Sequence, residues 1–228
     1  MPLALVATVA LITLILGPGI WVKRVMRRYS RPEDRYDGTG AELARYLLDG
    51  LRMPDVPVEV SEVGDHYDPS ARAVRLSPDV HDGRSLTAIT VAAHEVGHAL
   101  QHRDHYPALV WRTRLVKMSI PLQKTGAAIL VAAPFVALLS RAPAVGILMF
   151  VGGFLSLATS TLVHLVTLPT ELDASFRRAM PLLEHGNILK PVDLPHARRL
   201  LTAAALTYVS SSLMSLLNIG RWWAILRR

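Results

Sequence analysis

The sequence predicts a mainly α-helical integral membrane protein, with about four transmembrane helices and one small α+β domain. Three observations lead there. Hydrophobic residues make up 51% of the 228-residue chain and charged residues only 19%, against about 25% charged in soluble domains. The charges are also unevenly placed: residues 1–22, 126–168 and 201–220 together hold a single one, Arg141. Residues 30–118, by contrast, have the composition of a soluble protein. The chain has no cysteine, which excludes a disulfide scaffold, thiolate metal sites and cysteine nucleophiles. Any chemistry is left to histidine, carboxylates and hydroxyls.

In chain order, residues 1–22 read as an N-terminal transmembrane helix, because Leu3 to Val22 run without a formal charge for long enough to cross a ~30 Å hydrocarbon core. Lys23, Arg24, Arg27 and Arg28 follow, and positive residues mark a cytoplasmic flank. Residues 23–118 form the α+β segment. Thr39 and Glu42 make a capping box for a short helix through Leu48 that Gly50 can end. Val56 to Val63 alternates as a strand does, a turn containing Pro69 follows at Asp65–Ser70, and a second strand is expected near Ala71–Leu76. Ser85 then starts a long helix through about Gln101. Residues 119–168 read as a transmembrane hairpin, with spans at about 125–140 and 143–168 joined at Ser140-Arg141-Ala142-Pro143. An amphipathic helix in 169–190 runs to about Glu184 and ends at Gly186. Residues 191–228 hold a fourth span and a tail.

The net charge of +7 raises the question of nucleic acid. The basic residues sit beside the apolar spans, where topology and anionic headgroups account for them. No RNA-binding aromatic motif or helix-turn-helix signature is present. The expected partner is therefore the lipid bilayer and not a nucleic acid; the oligomeric state is left open.

The long helix carries His94-Glu95-Val96-Gly97-His98, an HExxH pattern. Residues four apart share a helix face about 6 Å apart, so both imidazoles can reach one zinc ion. Glu95, turned by roughly 100° from His94, lies beside such an ion and can take a proton from water and pass it to a leaving amine. A zinc ion makes water nucleophilic near neutral pH. The extended HExxHxxGxxH class fails, because Gln101 and Asp104 stand where it needs glycine and histidine. His102 lies eight residues, ~12 Å of helix rise, from His94 and is too distant.

A third ligand is needed, and the candidate is Glu171 in Thr170-Glu171-Leu172-Asp173-Ala174-Ser175. A carboxylate from a second helix completes a His₂Glu set. The competing reading is electrostatic: a glutamate near a helix N-terminus is favourable without any metal. Spacing alone leaves the two equal, and the hairpin favours the first by returning the chain to the side that holds His94.

At this point the sequence resembles the YugP-type neutral zinc metallopeptidases, small bacterial membrane proteins. The resemblance rests on Gly38-Thr39-Gly40-Ala41, Asp65-His66-Tyr67-Asp68-Pro69, Leu76-Ser77, the run Ala92 to His102, Thr167-Leu168-Pro169-Thr170-Glu171, Asp173-Ala174-Ser175 and Ala203 to Val209. It covers nearly the whole chain after the first span. The resemblance implies His94, His98 and Glu171 as ligands of one Zn2+, Glu95 as catalytic acid/base, and hydrolysis of peptide bonds in a protein or peptide substrate. It also implies a zincin-like domain in a bacterial membrane protein; the spans, the positive flank and the hairpin read as a multi-pass inner-membrane protein with the site facing the cytoplasm. Many members read Asn where this chain has Asp173.

Asp173 or Ser175 can orient a ligand imidazole through its free N–H, or can serve as helix caps. His66 and Tyr67, with Tyr208, are candidate oxyanion donors or groove residues; the alternatives are turn chemistry for the first two and packing for Tyr208. The strand before the long helix is expected to pair with an extended peptide along its edge. The rival function is a non-catalytic membrane scaffold that keeps zinc structurally, against which Glu95 argues, since a structural site needs no general base.

Overall fold

The structure is a computed structural model and describes residues 2–207 and 209. It divides into two compact units. One comprises Pro18–Val110 and Leu168–Thr207; the other contains Trp111–Thr167 together with the chain up to Gly17. The expected fourth span, about 199–219, is described only in its first half, and Tyr208 lies outside the described residues.

In the first unit, helix α1 (Pro2–Tyr29) enters at Pro18, and its Val22, Val25 and Tyr29 are buried in the hydrophobic core. Helix α2 (Gly40–Gly50) opens on the expected capping box: the Thr39 hydroxyl accepts from Glu42 N, and the Glu42 carboxylate accepts from Thr39 N. Strands β1 (Val58–Val60), β2 (His66–Asp68) and β3 (Ala73–Leu76) form one sheet in the order β1-β3-β2. β1 runs parallel to β3 with Val58 opposite Val74; β2 runs antiparallel with Tyr67 opposite Val74.

The sheet departs from expectation twice. His66–Asp68 was expected as part of a turn and is a strand; the turn itself is tighter, closed by the Asp68 carboxylate accepting from Ser70 N and Ala71 N. The strand ahead of the long helix is central, so both its edges are filled and peptide pairing along it is excluded. A short helix α3 (Pro78–His81) leads to α4 (Leu86–Arg103), N-capped by the Ser85 hydroxyl accepting from Ala88 N. Every residue of α4 from Leu86 to Gln101 is buried. The helix is thus the axis of the unit, wrapped by α2, the sheet and the chain that follows Leu168.

The second unit holds most of α5 (Pro107–Ser140) and α6 (Pro143–Leu172). They pack antiparallel and closely. A Cβ on Gly146 would stand 2.6 Å from the Ala137 Cβ, and one on Gly153 would stand 2.6 Å from Leu130 Cγ and 2.9 Å from the Gly126 carbonyl. Small residues let helix backbones approach this closely, so that van der Waals packing can hold them together. Phe135, Leu138, Leu139, Ile147 and Leu148 remain exposed.

About four transmembrane helices is too many. Among the described residues one helix, Pro107–Ser140, is long and apolar enough to cross a membrane. The physical reason is that apolar composition serves two purposes here. The second half of α1 is core of the first unit, as are Leu200, Leu201 and Ala203 of the helix over 194–207. The expected zincin-like α+β domain is likewise corrected to a mostly helical unit with one three-stranded sheet of short strands.

Past Leu172 the chain does not start a new amphipathic helix. It continues from α6 into a π-helical segment, Asp173–Ala179, then α7 (Met180–His185), without a break. Around the far side of the unit, Asp193 is fully buried and accepts from the Arg35 guanidinium and the Tyr36 hydroxyl, which ties the chain after α1 to the turn before the last helix.

Candidate metal centre

The i, i+4 spacing on α4 brings the His94 and His98 rings to 4.8 Å between centroids, inclined at 78°. Glu171, in the last turn of α6, meets them from the other side: its Oε2 lies 3.2 Å from each Nε2. All three residues are at most 5% exposed. Among the described residues they form one cluster able to hold a metal ion, with ligand atoms within 4.8 Å of one another. Because α6 passes through Glu171 without interruption, this carboxylate is not at a helix N-terminus. The purely electrostatic reading of Glu171 therefore loses its basis.

The far nitrogens decide which tautomers these imidazoles adopt. His98 Nδ1 is 2.9 Å from Gln101 Oε1. The Gln101 amide cannot be reversed, because its nitrogen faces two pure acceptors, the Thr170 carbonyl and the Asp173 carboxylate, each at 2.8 Å. His98 must then donate from Nδ1. His94 Nδ1 is 3.1 Å from Ser175 Oγ, whose own hydrogen goes to the Leu201 carbonyl at 3.2 Å. His94 must donate from Nδ1 as well.

Neutral imidazoles held this way turn two bare Nε2 lone pairs and a carboxylate oxygen toward one point. Three acceptors with no donor between them repel one another, and a cation at that point removes the conflict. The donor set, two imidazoles and one carboxylate, suits zinc. The residues present fit the ion.

Backbone geometry brings the two halves together. A Cβ on Gly97 would stand 2.7 Å from the Ala174 carbonyl oxygen. The middle of HExxH is thus packed against the π-helical segment, and that wider turn, of a kind frequent at functional sites, sets Ser175 beneath His94. Gly97→Ala is expected to force the segments apart, lowering stability by about 1–3 kcal/mol and weakening metal binding; thermal unfolding with and without zinc measures both.

The other expected residues separate. Glu95 is buried on α4 beside His94 and does not belong to the converging set. Ser175 supports His94 directly, while Asp173 reaches His98 only through Gln101. The Asp173 carboxylate also accepts from Arg178, which bridges to Asp104. His66 is occupied with the Gly64 carbonyl, and Tyr67 bonds His102 Nδ1 at 2.8 Å. Burial pushes the Tyr67 phenol up to about 12. Neither residue is brought into the cluster. Gln101 was missed: the sequence marked it only as a departure from the extended motif, although a polar residue one turn beyond the second histidine, on the same helix face, is the available signal. A cavity of about 860 Å³ is lined by Asp173 and Arg178, yet His94, His98 and Glu171 are not in its lining.

Residues 4–227 match the family described as "Putative neutral zinc metallopeptidase". The chain is also similar to "Putative membrane protease YugP" of Bacillus subtilis (strain 168), with 38% identity over 214 residues, covering 91% of each protein. No solved structure matches it.

Proposed function

The chain belongs to this neutral zinc metallopeptidase family, and from that premise we propose that it is a membrane-associated zinc endopeptidase of the two-histidine, one-glutamate type. One observation carries the reading: His94 and His98, locked with Nδ1 as donor, aim bare Nε2 atoms at the buried Glu171 carboxylate. His94 Nε2, His98 Nε2 and a Glu171 oxygen would hold the ion. When bound, zinc supplies Lewis acidity toward water and toward the peptide carbonyl.

The protein's own residues manage the proton. The Glu95 carboxylate accepts one from the attacking water as the new C–O bond forms, then returns it to the amide nitrogen as the C–N bond breaks. The burial of Glu95 and both histidines keeps bulk water from competing for these hydrogen bonds. Membrane association is supported by the exposed apolar side chains of α5 and by the name of the Bacillus relative. Arg112, Arg114 and Lys117 stand near the N-terminal end of α5, the end that continues from the site-bearing unit in sequence. By the positive-inside tendency that end is cytoplasmic, and the site acts there.

Detergent-solubilised protein should carry about one zinc per chain and cleave casein. A chelator such as 1,10-phenanthroline should stop cleavage, and added zinc should restore it. Zinc at unit stoichiometry with no cleavage of casein or of an unstructured peptide library overturns the enzymatic reading.

A further inference from the structure

We infer that Gln101 is the positioning residue that joins the two halves of the metal centre, a role that rests on the zinc reading above. Its side chain is fully buried and makes three hydrogen bonds. The amide oxygen takes the Nδ1 hydrogen of His98, on its own helix. The amide nitrogen donates to the Thr170 carbonyl and the Asp173 carboxylate, the residues that flank Glu171 one before and two after. A single planar group thereby sets the rotation of His98 and the register of the chain carrying Glu171. No apolar side chain can replace it, because both jobs are done by directional bonds of opposite polarity from one amide.

The two histidines are consequently held by different means. His94 rests on a serine hydroxyl that ends at a backbone carbonyl. His98 rests on an amide backed by Asp173, itself fixed by Arg178, which is anchored on Asp104. A carboxylate relayed through an amide makes His98 the more electron-rich ligand. The charged pairs at the far end hold the relay without touching the ion.

The test measures metal, not turnover. Zinc affinity is determined by competition with a chromophoric chelator, and the visible spectrum is recorded on the cobalt-substituted protein. Gln101→Met, of similar length but without hydrogen bonds, is expected to bind zinc about 10–100-fold more weakly and to shift the cobalt bands. Gln101→Glu sets a second carboxylate against Asp173 and is expected to weaken binding similarly. Adding Asp173→Asn exchanges amide and carboxylate, so that the new amide donates to the new carboxylate while His98 keeps its acceptor. That double variant should bind about tenfold better than Gln101→Glu alone.

Thermal unfolding without metal separates a merely structural role. Variants that lose stability yet keep wild-type zinc affinity and cobalt spectrum overturn the inference, as does a double variant with no recovery. If Gln101→Met fails to fold, the Gln101→Glu and double variants decide the matter by themselves. Wild-type protein that takes up no zinc defeats the zinc reading itself, a result distinct from wild-type uptake that Gln101 substitutions leave unchanged.

Discussion

Glu95→Gln is expected to lower kcat/KM for peptide hydrolysis by at least the ~10²–10⁴-fold that a positioned acid/base supplies, with zinc content and melting temperature close to those of the unaltered protein. The amide keeps the shape of the buried side chain but cannot accept the proton of the attacking water. Glu95 is outside the three-residue cluster, so the ion has no reason to leave. The comparison needs a fluorogenic peptide, with metal analysis on the same preparation. Cleavage within tenfold of wild type would remove Glu95 from the mechanism, and loss of zinc would instead assign it to the metal site.

Glu171→Gln tests the site from the opposite direction, because its expected effects on metal and on fold differ in sign. Removing a ligand should weaken zinc binding more than ~100-fold, beyond the ~10–100-fold typical of a supporting residue. The new amide, however, can donate hydrogen bonds to the two bare Nε2 atoms and relieve the convergence of acceptors. The metal-free variant should therefore melt at or above the temperature of the metal-free wild type. Zinc at a hundred times the dissociation constant should stabilise wild type by about 2.7 kcal/mol and the variant hardly at all. Calorimetry with and without zinc measures both effects. An unchanged zinc-dependent rise in melting temperature would exclude Glu171 as a ligand.

How much of the site is visible in the chain depends on the range of the interaction. His94, Glu95 and His98 are local: helix periodicity alone places them, and the structure keeps that helix from Leu86 to Arg103. Glu171 is 73 residues beyond His98, and its residue type admitted two readings until the unbroken passage of α6 into the π-helical segment removed the one that required a helix start. Gln101 was hidden for a similar reason. Its bond with His98 spans one helix turn, but the acceptors that fix the orientation of its amide, at Thr170 and Asp173, are distant in sequence.

The count of about four membrane spans failed where composition was asked to do more than it can. A run without charges reports that its side chains avoid water, whether lipid or protein excludes it. Val22 and Val25 avoid it inside the core, whereas Phe135 and Leu138 of α5 remain uncovered. Two of the three strands lie approximately where the sequence put them, the third fell in an expected turn, and their order was not legible. Period-two patterning fixes which face is buried and carries no information on whether β3 is an edge or the centre.

From the sequence alone came the chemistry available to this protein: no thiolates, a helix with two imidazoles and a carboxylate at metal-binding spacing, and a family resemblance that the comparisons support. Tertiary structure decided what that chemistry is attached to. Gly97 against the Ala174 backbone brings the second ligand-bearing segment within reach, and Ser175 and Gln101 choose the tautomers that suit the site to a cation. The division has a physical cause. Helix spacing is a property of consecutive residues, whereas a shared acceptor point exists only after distant segments pack and their hydrogen bonds are assigned.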